Sequence, residues 1–200
     1  MIGLFQRYLR QFADLTSRTT AIDGNHEAVC LESCVAGMGE SCRAAHDAGG
    51  KVMFIGNGGS AGVCSHMAID FSKNGGIRSV VFTDGSALTC LSNDFGFENV
   101  FSEQVALHGK AGDVLIAVSS SGRSANILKA AEVARQVGIS LFTFSGFDAD
   151  NPLRRMGEYN LHIPSHEYGM VEVGHQLILH AVLDIEMSRN SLPALAAAAR

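Results

Sequence analysis

The spacing of hydrophobic positions in this 200-residue chain changes near residue 49. Before that point, apolar side chains recur at three- and four-residue steps, which is the spacing of an amphipathic helix. The repeat is carried by Leu4, Tyr8, Phe12 and Leu15. Residues 2–48 therefore predict two helices, broken near Asp23-Gly24-Asn25 and without a strand.

Beyond residue 49, short apolar runs alternate with helical patterns. We expect strands over 51–55, 79–83, 113–118, 140–145 and 159–163. We expect helices over 60–72, 86–92, 98–108, 124–137 and 168–188. Strands separated by helices predict an α/β fold, a three-layer sandwich in which helices cover both faces of a mostly parallel sheet.

The same pattern predicts the domain organisation. Residues 49–190 would form the main domain, and residues 191–200 a disordered tail without a core-forming pattern. Because both faces of the sheet would already be covered, the apolar stripes of residues 1–48 need another surface. We therefore expect residues 1–48 to form a helical oligomerisation arm that packs against a second subunit.

Two Ser/Gly-rich segments each follow an apolar strand pattern. Gly56-Asn57-Gly58-Gly59-Ser60 comes after 52–55, and Ser119-Ser120-Ser121-Gly122-Arg123-Ser124 comes after 114–118. Each segment then enters a predicted helix, whose free backbone N–H groups and dipole favour an anion. Since ligands of such sheets bind at the carboxyl ends of the strands, the two segments predict a site for a phosphorylated small molecule.

Composition narrows the class of protein. A net charge of −5 disfavours a nucleic-acid surface, which usually carries a basic excess. No apolar run is long enough to span a membrane, and the N-terminus lacks a signal-peptide pattern. The five cysteines show no metal-binding spacing, which indicates buried, reduced thiols in a cytosolic protein.

Polar residues in two predicted helices are candidates for chemistry. His66 and Asp70 lie four residues apart and share a face, a spacing that also occurs in simple surface hydrogen bonds. Glu172 and His180 share a face of the last helix, which could equally be a solvent-exposed stripe. They lie roughly 12 Å apart along the helix axis, so helix geometry alone does not pair them.

These motifs together resemble the sugar isomerase (SIS) domain, and within it the sedoheptulose-7-phosphate isomerases, or phosphoheptose isomerases. The resemblance extends over residues 5–188 and is carried by Gly56–Ser60, His66, Asn93-Asp94-Phe95-Gly96, Ser119–Asn126 and His180. It implies a flavodoxin-like, five-stranded parallel sheet and a cytoplasmic homotetramer with active sites at subunit interfaces. The implied reaction converts sedoheptulose 7-phosphate, or a closely related sugar phosphate, to D-glycero-D-manno-heptose 7-phosphate through an enediol.

The resemblance also implies roles for individual residues. Asp70 and His180 would exchange protons with the substrate, and one zinc ion per subunit would be bound by His66, Asp70, Glu172 and His180. Glu172 is a second candidate for the base, because Asp70 is one methylene shorter than the glutamate usual in the family. The substrate would be held by Asn57, Gly58, Gly59, Ser60, Asn93, Asp94, Ser119, Ser120, Ser121 and Ser124.

The chain departs from the family pattern at three positions. Aspartate stands at position 70 where glutamate is usual, glutamate at 172 where glutamine is usual, and Asn74 lies in a segment that often carries arginine. Two alternatives therefore stay open: another SIS isomerase of sugar or amino-sugar phosphates, and a non-catalytic SIS-fold protein resembling regulators that bind the replication initiator.

Overall fold

The computed structural model describes the backbone of residues 2–198 and the side chains of residues 3–189. Its centre is a seven-stranded sheet with the order β2-β1-β7-β6-β5-β3-β4. The strands are β1 (Thr20–Asp23), β2 (Ala28–Val29), β3 (Val52–Gly56), β4 (Ser79–Val81), β5 (Val114–Ser119), β6 (Ser140–Ser145) and β7 (Tyr159–His162). Strands β3 to β7 are parallel to one another, as their sequence pattern predicts.

Seven α-helices accompany the sheet in the described residues. They are α1 (Ile2–Ser17), α2 (Leu31–Asp47), α3 (Gly58–Lys73), α4 (Gly85–Phe95), α5 (Val100–His108), α6 (Ala125–Val137) and α7 (Tyr168–Ala198). Each helix expected after residue 49 is present, which confirms the α/β fold class. None of the helices in the described residues combines the length and hydropathy needed to cross a membrane.

The prediction of a five-stranded, all-parallel sheet is wrong in its strand count. The hairpin β1–β2 adds two strands, and β1 pairs antiparallel with β7, so the sheet is mixed. The expectation of no strand within residues 2–48 is corrected by the same hairpin. Strands of four and two residues are too short to show a period of two, and the hairpin is held in the sheet by the pairing of β1 with β7.

Two apolar cores lie on opposite faces of the sheet, giving the predicted three layers. Helices α2, α3 and α7 cover one face, and α5 and α6 cover the other. The two helices of the expected oligomerisation arm therefore pack differently. Helix α2 packs on the sheet of its own chain, whereas α1 leaves Leu4, Phe5 and Tyr8 exposed and buries Leu15. Oligomerisation through residues 1–48 stays a prediction that rests on α1.

Helix α7 includes the backbone up to Ala198, while the side chains of the predicted tail, residues 191–200, lie outside the described residues.

All five cysteines are free. Cys34, Cys42 and Cys64 are buried as expected, and burial raises the pKa of the Cys34 thiol to about 12. Cys30 and Cys90 are exposed, which corrects the expectation for these two.

Candidate active site

The two Ser/Gly-rich segments meet at one edge of the sheet. They follow the neighbouring parallel strands β3 and β5, whose carboxyl ends lie side by side. A Cβ atom on Gly56 would lie 2.7 Å from the backbone of Ser60, and Gly58 has a φ of +53°. The turn from β3 into α3 therefore requires glycine at both positions.

A cavity of about 250 Å³ lies between the segments. It is lined by Asn57, Gly58, Gly59, Ser60, Ser119, Ser120, Ser121, Ser124, Tyr168 and Glu172. Eight of the ten residues proposed for substrate binding thus share one cavity. Tyr168 was not among them; its ring packs edge-on against Phe147, and an isolated tyrosine at a helix start gave no signal in the sequence.

The serine hydroxyls of the cavity are only partly used within the protein. Ser119 and Ser124 share a hydrogen bond of 3.3 Å between their Oγ atoms. The buried Ser120 Oγ has no hydrogen-bond partner among the described residues. A buried hydroxyl without a partner is destabilising, so a ligand that accepts from Ser120 would gain an interaction that the protein does not provide.

A second group of polar side chains lies farther along α3. His66 Nε2 lies 3.3 Å from Asp70 Oδ2, and His180 Nδ1 on α7 lies 3.7 Å from the same oxygen. The ligand atoms of all three residues lie within 4.8 Å of one another. Asp70 is the most buried of the three, with 20% of its side chain exposed, and therefore faces the two imidazoles rather than solvent.

Asp70 is oriented by a residue that the sequence left without a role. Asn74, the C-cap residue that directly follows α3, donates a hydrogen bond of 3.2 Å from its Nδ2 to Asp70 Oδ1. This bond leaves Asp70 Oδ2 directed at the histidines. The four-residue spacing of Asp70 and Asn74 could have indicated the contact.

Glu172 lies at the serine cavity and outside the three-residue group. A Cβ atom on Gly59 would collide with the Glu172 carboxyl group, which covers the start of α3. Its predicted role as a zinc ligand would require the side chain to turn along α7 towards His180. That role stays a prediction.

Comparison with known proteins agrees with this geometry. A model of the SIS domain matches residues 27–146. The chain is 38% identical over 139 residues to the phosphoheptose isomerase of Rhodospirillum rubrum, covering 66% of this chain and 73% of that protein. The chain belongs to the phosphoheptose isomerase family of SIS-domain proteins.

Other members of the family extend the match. The phosphoheptose isomerase of Proteus mirabilis is 32% identical over 188 residues, covering 91% of this chain and 94% of the relative. The solved phosphoheptose isomerase structure from Neisseria gonorrhoeae has a TM-score of 0.74 at 31% identity, covering 92% of this chain and 99% of that one. The predicted family resemblance is confirmed.

Two residues that the family resemblance implicated lie elsewhere. Asn93 and Asp94 are exposed on α4 and do not line the serine cavity of their own chain. Asn93 Nδ2 donates to Asp94 Oδ1 at 2.8 Å. No residue of α4 is buried, and Phe95 at its end is 53% exposed. A substrate role for these residues stays a prediction.

Proposed function

We propose that this protein isomerises sedoheptulose 7-phosphate, or a closely related sugar phosphate, to the aldose D-glycero-D-manno-heptose 7-phosphate. The observation that carries the proposal is that α3 contributes residues both to the serine cavity and to the cluster of His66, Asp70 and His180. Ser60 lines the serine cavity, and His66 belongs to the group of His66, Asp70 and His180, here called the proton-transfer group. About 9 Å of helix lies between Ser60 and His66. A sugar phosphate of this class would place its phosphate at the serines and its C1 and C2 near the histidines.

The proposed chemistry follows from the side chains of the proton-transfer group. A base removes the proton from C1 of the ketose while O2 gains a proton, which gives an enediol. A proton is then delivered to C2 while O1 loses its hydroxyl proton, which leaves the aldehyde at C1. A carboxylate and an imidazole are suited to these transfers near neutral pH. Asp70 and His180 are our candidates, with Glu172 as the alternative base, because Asp70 Oδ2 and His180 Nδ1 already lie 3.7 Å apart.

The three-residue group also fits one zinc ion per subunit. Two imidazole nitrogens and a carboxylate oxygen form a typical donor set of a catalytic zinc site, which leaves a fourth position open. His66, Asp70 and His180 would hold the metal, and Glu172 would join them only after leaving the cavity. A zinc ion bound there supplies Lewis-acid polarisation of the substrate oxygens.

We further propose a homotetramer with active sites at the subunit interfaces. Exposed apolar side chains on α1, α3 and α7 support it, since surfaces of this kind usually pack against a partner. They are Leu4, Phe5, Tyr8, Ile69, Val173 and Leu177. In such an assembly, Asn93 and Asp94 on the exposed α4 would reach the cavity of a neighbouring subunit. Free cysteines support a cytoplasmic location, and neither nucleic acid nor a membrane is a proposed partner.

Replacement of His180 tests the proposal. His180→Ala should abolish turnover of sedoheptulose 7-phosphate while the oligomer, measured by light scattering, stays intact. Full activity of His180→Ala would exclude the residue from the mechanism. An inactive wild-type protein that captures the replication initiator would instead favour the non-catalytic alternative.

A further inference from the structure

The start of α3 carries a capping residue that does not cap. Asn57 occupies the N-cap position in the extended conformation typical of that position, yet its side chain forms no capping hydrogen bond. Asparagine at an N-cap usually accepts from the backbone N–H two or three positions later, here Gly59 or Ser60. Both residues line the serine cavity.

The Asn57 side chain is instead held by Asn126. Asn57 Nδ2 donates to Asn126 Oδ1 at 2.9 Å, and Asn126 Nδ2 donates back to Asn57 Oδ1 at 2.9 Å. Asn126 lies in the first turn of α6 and is only 3% exposed. The reciprocal pair thus connects the starts of the two helices that follow the Ser/Gly-rich segments.

The arrangement has a direct consequence for the cavity. The first backbone N–H groups of an α-helix have no acceptor within the helix, so an N-cap side chain and a bound anion compete for them. With the Asn57 Oδ1 atom engaged by Asn126, this competitor is removed, and the Glu172 carboxyl group beside Gly59 is a second acceptor near the helix start. Ser124, the N-cap of α6, likewise forms no capping bond and contacts Ser119 instead.

We propose that Asn126 is a positioning residue that holds Asn57 away from the α3 N-terminus and thereby keeps its backbone N–H groups open to the phosphate of the substrate. The inference rests on the proposed function only in requiring that the cavity binds a phosphate group. It also changes the role of Asn57, whose side chain serves the Asn126 pair while its backbone leads into the anion site.

The test uses two variants of the full-length protein and inorganic phosphate as the probe. In Asn126→Ala, Asn57 is free to cap α3, so the Kd for phosphate measured by calorimetry should rise about tenfold. In Asn57→Ala/Asn126→Ala no cap can form, and the affinity should return to within about threefold of the wild type. Cys64→Ala, a buried change in α3 outside the cavity, is the matched control and should bind phosphate as the wild type does.

Steady-state kinetics separate positioning from general loosening of the site. The KM for sedoheptulose 7-phosphate should follow the phosphate Kd across the variants, while kcat changes less than about threefold. If Asn126→Ala does not fold, Asn126→Leu removes the amide at similar volume and replaces it in both the single and the double variant.

Two results would overturn the inference. One is wild-type phosphate affinity in Asn126→Ala, and the other is a double variant that binds phosphate as weakly as Asn126→Ala or more weakly. If the phosphate affinities follow the predicted order but the wild type does not convert sedoheptulose 7-phosphate, the inference stands and the proposed function fails.

Discussion

The Glu172 carboxyl group occupies the space that a side chain at Gly59 would need. The contact joins the first turn of α3 to the first turns of α7 at the rim of the serine cavity. A side chain at position 59 would therefore have to displace the Glu172 carboxyl group.

Gly59→Ala should impair substrate binding without unfolding the protein. The new methyl group would push the flexible Glu172 side chain aside and fill part of the cavity, so the KM for sedoheptulose 7-phosphate should rise about tenfold or more. Gly62→Ala is the matched control, because a Cβ atom on Gly62 would meet no other atom within 4 Å. A wild-type KM in Gly59→Ala would show that the cavity does not bind the substrate.

Asp70→Asn should abolish the function of Asp70 as a base while preserving the shape of its side chain. The amide keeps the size of the side chain but cannot act as a base, so kcat should fall at least 100-fold with little change in thermal stability. Kinetics and thermal unfolding of the same preparation would test this. A kcat within a few-fold of the wild type would transfer the role of base to Glu172.

Asn74→Ala should produce a smaller defect of the same kind. Without the hydrogen bond to Asp70 Oδ1, the carboxylate can rotate away from His66 and His180, and kcat should fall about tenfold while KM changes little. Lys73→Ala, the preceding exposed residue, is the control. An unchanged kcat in Asn74→Ala would mean that the bond does not orient Asp70 during turnover.

Zinc binding should depend on the His66, Asp70 and His180 group. Titration of the chelator-treated protein with zinc should give one site per subunit, which His66→Ala weakens at least tenfold. Glu172→Ala should weaken it less, because the Glu172 carboxyl group lies at Gly59. His166→Ala is the control, since His166 is exposed and pairs with Asp148. Equal zinc affinity of His66→Ala and the wild type would contradict the assignment.

His175 should make the protein less stable in acid. Burial lowers the pKa of His175 to about 4 from its ordinary value of 6.5, because the imidazole lies in the core beside Phe144. The neutral form stabilises the fold above pH 6.5, and that contribution is lost as the pH falls towards 4, by up to about 3 kcal/mol. Urea unfolding at pH 7 and pH 4.5 should show a smaller pH dependence for His175→Gln than for the wild type. The same slope in both proteins would exclude His175 as the cause.

Much of the fold was predictable because the buried parallel strands and their helices have strong patterns. Strand β5 is a continuous apolar run, and the start of α3 follows a glycine-rich turn. The hairpin β1–β2 was not predictable, since its stability depends on pairing with β7, which follows more than a hundred residues later.

The candidate site, like the fold, could be predicted from the sequence only in part. The serine cavity could be located from the sequence, because the segments that line it follow adjacent strands. The contact between Asn57 and Asn126, 69 residues apart, has no local signal. The approach of His180 to Asp70 depends on how α7 packs on α3, and only the family resemblance had linked the two residues.

The most direct test of the central claim is an NMR assay of the purified, zinc-loaded protein with sedoheptulose 7-phosphate in deuterated water, repeated after chelation and with Asp70→Asn. We predict that an aldoheptose 7-phosphate appears with deuterium at C2, which reports an enediol that exchanges its proton with solvent. Conversion should slow after chelation and in Asp70→Asn. Absence of the aldose with the zinc-loaded wild type, under conditions in which the protein is folded, would contradict the proposed isomerase function.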